Sequence, residues 1–209
     1  NNLQKRRKEE GAVEMMIQGS PEWFEFRLGN VSASRMGDLM AKTKLGYSTS
    51  RKNYMSELIC QRLTGTREEG FTSSAMQRGI DVEPIARSRY EIEYDVMVEE
   101  TGCIAHPTIE GFVASPDGFV GDKGSLEIKC CNTATHIEFL KSGKIPAKYE
   151  KQMTAQMLCA EREWCDFVMF DDRLPEKLSF RCVRYHLDEK AAQEMEQEVI
   201  KFLAEMDSE

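Results

Sequence analysis

The segment that most limits the fold is Ser125–Cys131, "SLEIKCC". On an extended strand the side chains alternate, so Leu126, Ile128 and Cys130 face one way and Glu127 and Lys129 the other, roughly 7 Å apart. Taken alone, the polar side reads as a solvent-facing sheet surface with an ion pair. Its neighbours argue otherwise. Upstream, "SPDG" is a turn that presents Asp117 at a strand end, and a hairpin would set Asp117 beside Glu127. Downstream, "PAKYEKQMTAQMLCA" is an amphipathic helix able to cover the Glu127/Lys129 side. Two carboxylates and an ammonium beneath a helix are costly unless they are paired or used. Two carboxylates with a backbone carbonyl and water make an oxygen site suited to Mg²⁺. A lysine two residues on can then polarise an attacking water or neutralise charge growing on phosphorus. This is a kit for metal-dependent phosphodiester hydrolysis.

The rest of the chain supplies a setting for that strand. Ser32 or Ser34 can cap a helix to about Met40. A second helix fits "YSTSRKNYMSELICQRLTG", with Gly65 as its stop. "TSSAMQRGIDVEPIARSRYEIEY" is helical in two pieces, with a kink or fresh start at Pro84. Short β-prone runs follow at Val96–Glu99, Cys103–His106, Gly111–Ala114, Gly118–Val120 and Ser125–Cys131. Helices are expected over about 133–142 and 146–160, with Pro146 at a first helical position. Strands at Cys165–Asp171 and Ser179–Tyr185 precede a last helix over about 188–206, capped by Asp188. Helices, a strand cluster, a helix pair, two strands and a helix imply an α/β or α+β fold with a mixed central sheet. Residues 1–15 read as a polar lead-in and residues 16–209 as one domain.

Charge narrows the partners. The 209-residue chain has a net charge of −8, which argues against broad nucleic-acid coating. The charge is segregated, however. Residues 186–209 hold eight acidic and two basic side chains, whereas residues 35–52 hold five basic and one acidic. Residues 129–151 hold five basic and two acidic. A basic surface on an acidic protein is therefore allowed. No apolar run reaches the roughly 20 residues of a membrane-spanning helix, and the polar amino end points away from a secretory leader. The seven cysteines form no C-x-x-C, as reduced thiols of a cytoplasmic protein would. The three histidines are isolated, against a zinc site.

"SPDG" followed by "EIK" resembles the PD-(D/E)XK nuclease motif. In order with "WFEFRLGNVSAS", "RGIDVEPIA" and "YEKQMTAQM", it resembles the bacteriophage lambda exonuclease or YqaJ-type viral recombinase family over about residues 20–205. That resemblance implies a restriction-endonuclease-like core with a mixed central sheet flanked by helices. It implies that Asp117 and Glu127 bind metal, that Lys129 is the catalytic lysine, that Glu83 supports a second metal or the water, and that Gln152 completes the site. From the residues alone, Glu83 is a glutamate favoured near a helix start, and Gln152 a polar position beside Met153, Met157 and Ala160.

The resemblance further implies a 5′-phosphate pocket of Arg27, Ser34, Ser115 and Gln152, whose guanidinium and hydroxyls suit phosphate oxygens. Trp23, Lys44 and Met76 fall where the family meets DNA: an aromatic contact, a minor-groove cation and an apolar wedge between bases. The plain alternatives are a surface cation for Arg27, a simple helix cap for Ser34, an anchor for the entry segment for Trp23 and a core methionine for Met76. The implied activity is Mg²⁺-dependent (alternatively Mn²⁺-dependent) 5′→3′ exonuclease action on double-stranded DNA. It would release 5′ mononucleotides and leave a 3′ strand for a single-strand annealing protein in phage-type recombination. A homotrimeric ring around DNA is implied as well. The rival readings are an endonuclease of the same fold and a non-catalytic DNA-binding domain. The loop after Lys44, "LGYSTSRKN", departs from the family in composition.

Overall fold

The computed structural model describes residues 16–67 and 73–209; the lead-in expected over residues 1–15 lies outside the described residues. In chain order the helices are α1 (Pro21–Arg27), α2 (Met36–Leu39), α3 (Thr49–Thr64), α4 (Ser74–Tyr94), α5 (Thr133–Ser142), α6 (Ala147–Ala160), α7 (Glu176–Ser179) and α8 (Glu189–Ser208). The strands are β1 (Val31–Ser32), β2 (Lys42–Thr43), β3 (Gly46–Tyr47), β4 (Val98–Glu99), β5 (Ile104–Ala105), β6 (Phe112–Ala114), β7 (Gly118–Val120), β8 (Gly124–Lys129), β9 (Trp164–Phe170) and β10 (Phe180–His186).

The main sheet runs β10-β9-β8-β7-β4. β8 and β9 are parallel and the other neighbours antiparallel. A parallel pair needs a long crossover, and α5 with α6 provides it. A smaller sheet sets β6 between a parallel β1 and an antiparallel β5. This is the mixed sheet flanked by helices that the element order implies.

Alternation along the strands decides what each face meets. Leu126 and Ile128 of β8, with Val168 and Phe170 of β9, pack on Val82, Ala86 and Tyr90 of α4. Cys165, Phe167 and Met169 of β9 point the other way, onto Phe139 of α5 and Met153 and Met157 of α6. Glu127 lies on that second face and is fully buried. A third cluster joins α3, α8 and the smaller sheet through Tyr54, Leu58, Phe112, Val199 and Phe202. Burying a large apolar side chain of this kind contributes about 1.5–3 kcal/mol.

Three local expectations are revised. The helix expected from Ser32 or Ser34 to Met40 is divided into a 3₁₀ turn (Ala33–Arg35), preceded by Ser32 at the end of β1, and the short α2. Ser32 is taken by parallel pairing with Val113, and its backbone amide donates to the Tyr54 hydroxyl (3.0 Å). α4 runs unbroken through Pro84. There is no fresh start at Pro84: Val82, Ala86 and Tyr90, on both sides of the proline, pack into one core cluster that keeps the helix continuous at the cost of one helix hydrogen bond. Much of the basic stretch 35–52 is also spent internally. Arg35 pairs with Asp38 and Glu57, Lys42 with Glu198, and Arg51 with Glu205. By contrast, Lys141, Lys144 and Lys148 are exposed, with no ion pair among the described residues.

Asp171, just past β9, is a junction. Its carboxylate accepts from Arg78 of α4 (3.0 Å), from Arg173 Nε (2.7 Å) and from the Thr133 hydroxyl at the start of α5 (2.7 Å). Burial by itself would raise its pKa, but the bonds from Arg173 and Thr133 outweigh burial and hold the carboxyl well below its usual range. A depressed folded-state pKa stabilises the fold in full above the unfolded value of about 3.9 and is lost as pH falls toward the folded value. Asp171→Asn should therefore cost about 1.5–3 kcal/mol in urea unfolding at pH 7. The gap to the wild-type chain should narrow steadily below about pH 4. A gap independent of pH would show that the charge of Asp171 is not what stabilises the junction.

Candidate active site

Asp117 sits immediately before β7, and β7 returns into β8 as an antiparallel pair in the register Gly118↔Leu126. The Asp117 amide donates to the Leu126 carbonyl (3.1 Å), and Asp117 Oδ2 accepts from the Ile128 amide (2.6 Å). The hairpin thus sets Asp117 across from Glu127. Gly118 permits this packing, since a Cβ there would meet Val98 Cγ1 of β4 at 2.2 Å. Burial, then the charges of Glu127 and Glu83, push the Asp117 carboxyl well above the ordinary carboxylate range.

Glu127 is held on both oxygens. Oε1 accepts from Gln152 Nε2 (2.8 Å) and from the Lys129 ammonium. Oε2 accepts from Gln156 Nε2 (2.6 Å). Gln152 and Gln156 stand one turn apart on α6, so both reach down onto β8. Burial would lower the pKa of Lys129, but the charges of Glu127 and Asp117 prevail and hold its ammonium above the usual lysine value. The ammonium also lies 5.3 Å from the centre of the Tyr149 ring. Glu83 approaches from α4, where its carboxylate pairs with Arg87 (3.0 Å). Its pKa is raised, by burial first, against the opposing Arg87 charge and with a further rise from Glu127.

A second group lies beside the first. Arg27, the last residue of α1, donates to Ser115 Oγ (3.3 Å) and to Ser34 Oγ (3.5 Å). The Trp23 indole nitrogen donates to the same Ser115 hydroxyl (2.9 Å), and the Arg27 guanidinium lies over the indole at 4.3 Å. The partners of the guanidinium here are neutral, and burial lowers the pKa of Arg27. Arg27, Ser34, Ser115 and Trp23 therefore gather at one place. Gln152 does not bond to any of them; its amide is spent on Glu127. Lys44 lies farther out, at the exposed tip of the β2–β3 hairpin. Met76, in the first turn of α4, is 58% exposed and so is not a core residue.

Among the described residues no three histidine, cysteine, aspartate or glutamate side chains close into a metal cage. Two carboxylates and their unspent lone pairs converge instead. A carboxylate offers about four acceptor directions. Glu127 uses two on Oε1 and one on Oε2, and Asp117 uses one. Oε2 of Glu127 and both oxygens of Asp117 remain able to accept. Crowded, buried oxygen donors with an excess of negative charge fit a hard divalent cation such as Mg²⁺ or Mn²⁺.

The sequence reading passed over Gln156. Its signal was available, because Gln156 follows Gln152 by four residues and shares its helix face. It was hidden by Met153, Met157 and Ala160, which made α6 read as a core helix. The Asp171 junction was also missed, since its parts lie up to 93 residues apart.

The chain resembles known proteins in sequence and in fold. A profile described as "YqaJ-like viral recombinase domain" matches residues 22–163. An alkaline exonuclease (LHK-Exo) from Laribacter hongkongensis is 54% identical over 90% of this chain and 93% of its own, with a TM-score of 0.85. The same protein in complex with dAMP gives 0.86 at equal identity and coverage. A phage-related exonuclease from Haemophilus somnus 129PT is 14% identical and covers 86% of this chain and 94% of its own. Its TM-score of 0.70 is a likeness of fold. No curated protein matches the sequence.

If the unspent carboxylate oxygens take a cation, Mg²⁺ or Ca²⁺ should stabilise the chain without DNA. At a hundredfold excess over Kd the gain is about 2.7 kcal/mol, or roughly 5–10 °C in a thermal melt. Asp117→Asn keeps an acceptor for the Ile128 amide and should fold, yet lose the shift. An equal shift in both proteins would place the cation elsewhere.

Proposed function

Because the chain belongs to the YqaJ-like viral recombinase family, we propose that it is a divalent-metal-dependent exonuclease that degrades double-stranded DNA from a 5′-phosphorylated end. One observation carries the reading: Asp117, Glu127 and Lys129 meet beneath α6, and Ser115, two residues from Asp117, belongs to a guanidinium–hydroxyl pocket. Hydrolysis and end recognition are thus joined by a single turn of chain. The exonuclease named in the 54%-identical relative supports the activity. Its complex with dAMP, a nucleoside monophosphate, supports release of single nucleotides.

Asp117 and Glu127 would hold the cation, with Glu83 nearby on α4. When bound, Mg²⁺ supplies Lewis-acid polarisation of the scissile phosphate. The chain's own groups do the rest. The Lys129 ammonium, paired with Glu127, lies where it can orient the attacking water and offset charge growing on phosphorus. Arg27 with Ser34 and Ser115 holds the terminal 5′ phosphate through charge-assisted hydrogen bonds, each worth roughly 1.5–3 kcal/mol. Holding that phosphate fixes which phosphodiester reaches the carboxylates, so one nucleotide leaves per step with 5′→3′ polarity. Lys141, Lys144 and Lys148 give the duplex backbone an electrostatic track.

We assign the remaining 3′ strand to a single-strand annealing protein in phage-type recombination, with the nuclease as a ring of three subunits in the cytoplasm. Among the described residues no helix is long and apolar enough to cross a membrane.

Linear duplex should be degraded with Mg²⁺ while covalently closed circles survive. Cutting of the circles would favour an endonuclease of the same fold. Lys129→Ala should lose most of kcat, and Lys129→Arg should not restore it, since a planar fork cannot take a point-charge position.

Duplex with a 5′ hydroxyl should be cut far more slowly than phosphorylated duplex. Arg27→Ala should remove that difference by slowing only the phosphorylated substrate, a comparison in which general DNA affinity cancels. Equal slowing of both substrates would make Arg27 a generic contact or a structural residue.

A further inference from the structure

We infer that Gln156 is a positioning residue: it fixes the one oxygen of Glu127 that stays open to the cation, and it braces that oxygen against the backbone of Ser115. The inference rests on the nuclease reading above and adds a residue to its machinery. Gln156 is fully buried on the inner face of α6. Its Nε2 donates to Glu127 Oε2 at 2.6 Å and to the Ser115 carbonyl at 3.4 Å. Both partners are acceptors, so the amide cannot turn over without placing its own oxygen against two others. Its Oε1 has no partner among the described residues. The orientation is therefore set wholly by Glu127 and Ser115.

Gln152 and Gln156 are not duplicates. Gln152 shares Oε1 with Lys129, so losing either leaves a second donor there. Among the described residues Gln156 is the single donor to Oε2. Oε2 is also the Glu127 oxygen with an acceptor direction to spare. Without the Gln156 amide the carboxylate can swing about Oε1, and the spare lone pair no longer keeps one direction. The longer bond to Ser115 links the same amide to the residue whose hydroxyl meets Arg27 and Trp23. The carboxylate and the end pocket thus share one buried brace.

The test uses the whole chain, without DNA, and Ca²⁺ as probe. Calorimetric titration compares wild type, Gln156→Leu, Gln156→Met and Asp117→Asn, with circular dichroism and thermal melts reporting the fold. Gln156→Met fills nearly the same unbranched volume and serves if Gln156→Leu does not fold. We expect both Gln156 variants to bind Ca²⁺ about tenfold more weakly, the size expected for one lost hydrogen bond to a charged group. Their midpoint for Mg²⁺ activation should rise by a similar factor, while KM for DNA changes little. A lower melting temperature with unchanged or tighter Ca²⁺ binding would overturn the inference and leave Gln156 a packing residue. Absence of Ca²⁺ binding by wild type, or equal binding by Asp117→Asn, would instead overturn the metal site on which it rests.

Discussion

The compensation of one buried carboxylate governs the arrangement of this protein. Glu127 is fully inside, in the middle of a sheet and under a helix. A lone charge there would be excluded by its desolvation cost. It is retained because Lys129 answers it from the same strand and two amides answer it from α6. Those donors have to arrive together. β8 must alternate, α6 must lie across its polar side, and the α5–α6 crossover must bring the chain back parallel in β9. The apolar half of the same alternation seats α4 on the opposite face, and α4 carries Glu83.

Which parts of this were readable in the sequence follows from the range of the interactions. Alternation in "SLEIK" assigns Glu127 and Lys129 to one face because it is a local property of the strand. The Asp117 turn and the amphipathic α6 are likewise local, and they were legible. The helical stretch expected between Ser32 and Met40 is present but begins as a 3₁₀ turn, because Phe112 and Val113, some eighty residues on, hold Val31 and Ser32 as a strand up to its first residue. Pro84 implies a kink or fresh start because propensity is local, whereas the sheet beneath both halves of α4 is not. Gln156 carried the right spacing but sat among methionines, and only the position of Glu127 distinguishes it from a core neighbour.

Electrostatics divides in the same way. Composition shows a basic stretch at 35–52 and an acidic one at 186–209, and it suggests opposed surfaces. In the folded chain part of the two neutralise each other. Glu198 takes Lys42 and the Tyr47 hydroxyl (2.7 Å), and Glu205 takes Arg51. These bonds fasten the β2–β3 hairpin and α3 to α8. Among the described residues Lys141, Lys144 and Lys148 form no ion pair, and they lie on or beside the helix that covers the carboxylates. An acidic protein can thus offer polyanions a confined basic approach, without a basic average.

The pairing of β1 with β6 bears on how the protein comes into being. Arg27 and Ser34 lie near the beginning of the chain, Ser115 lies in its middle, and the amides that hold Glu127 lie later still, on α6. Contacts of such sequence separation form slowly, since loop closure must precede them. Synthesis that has reached residue 100 has made Arg27 and Ser34 but neither Asp117 nor Glu127. Glu127 gains its two amide partners only once α6 has docked across β8, so the buried carboxylate is the last part of this arrangement to be compensated.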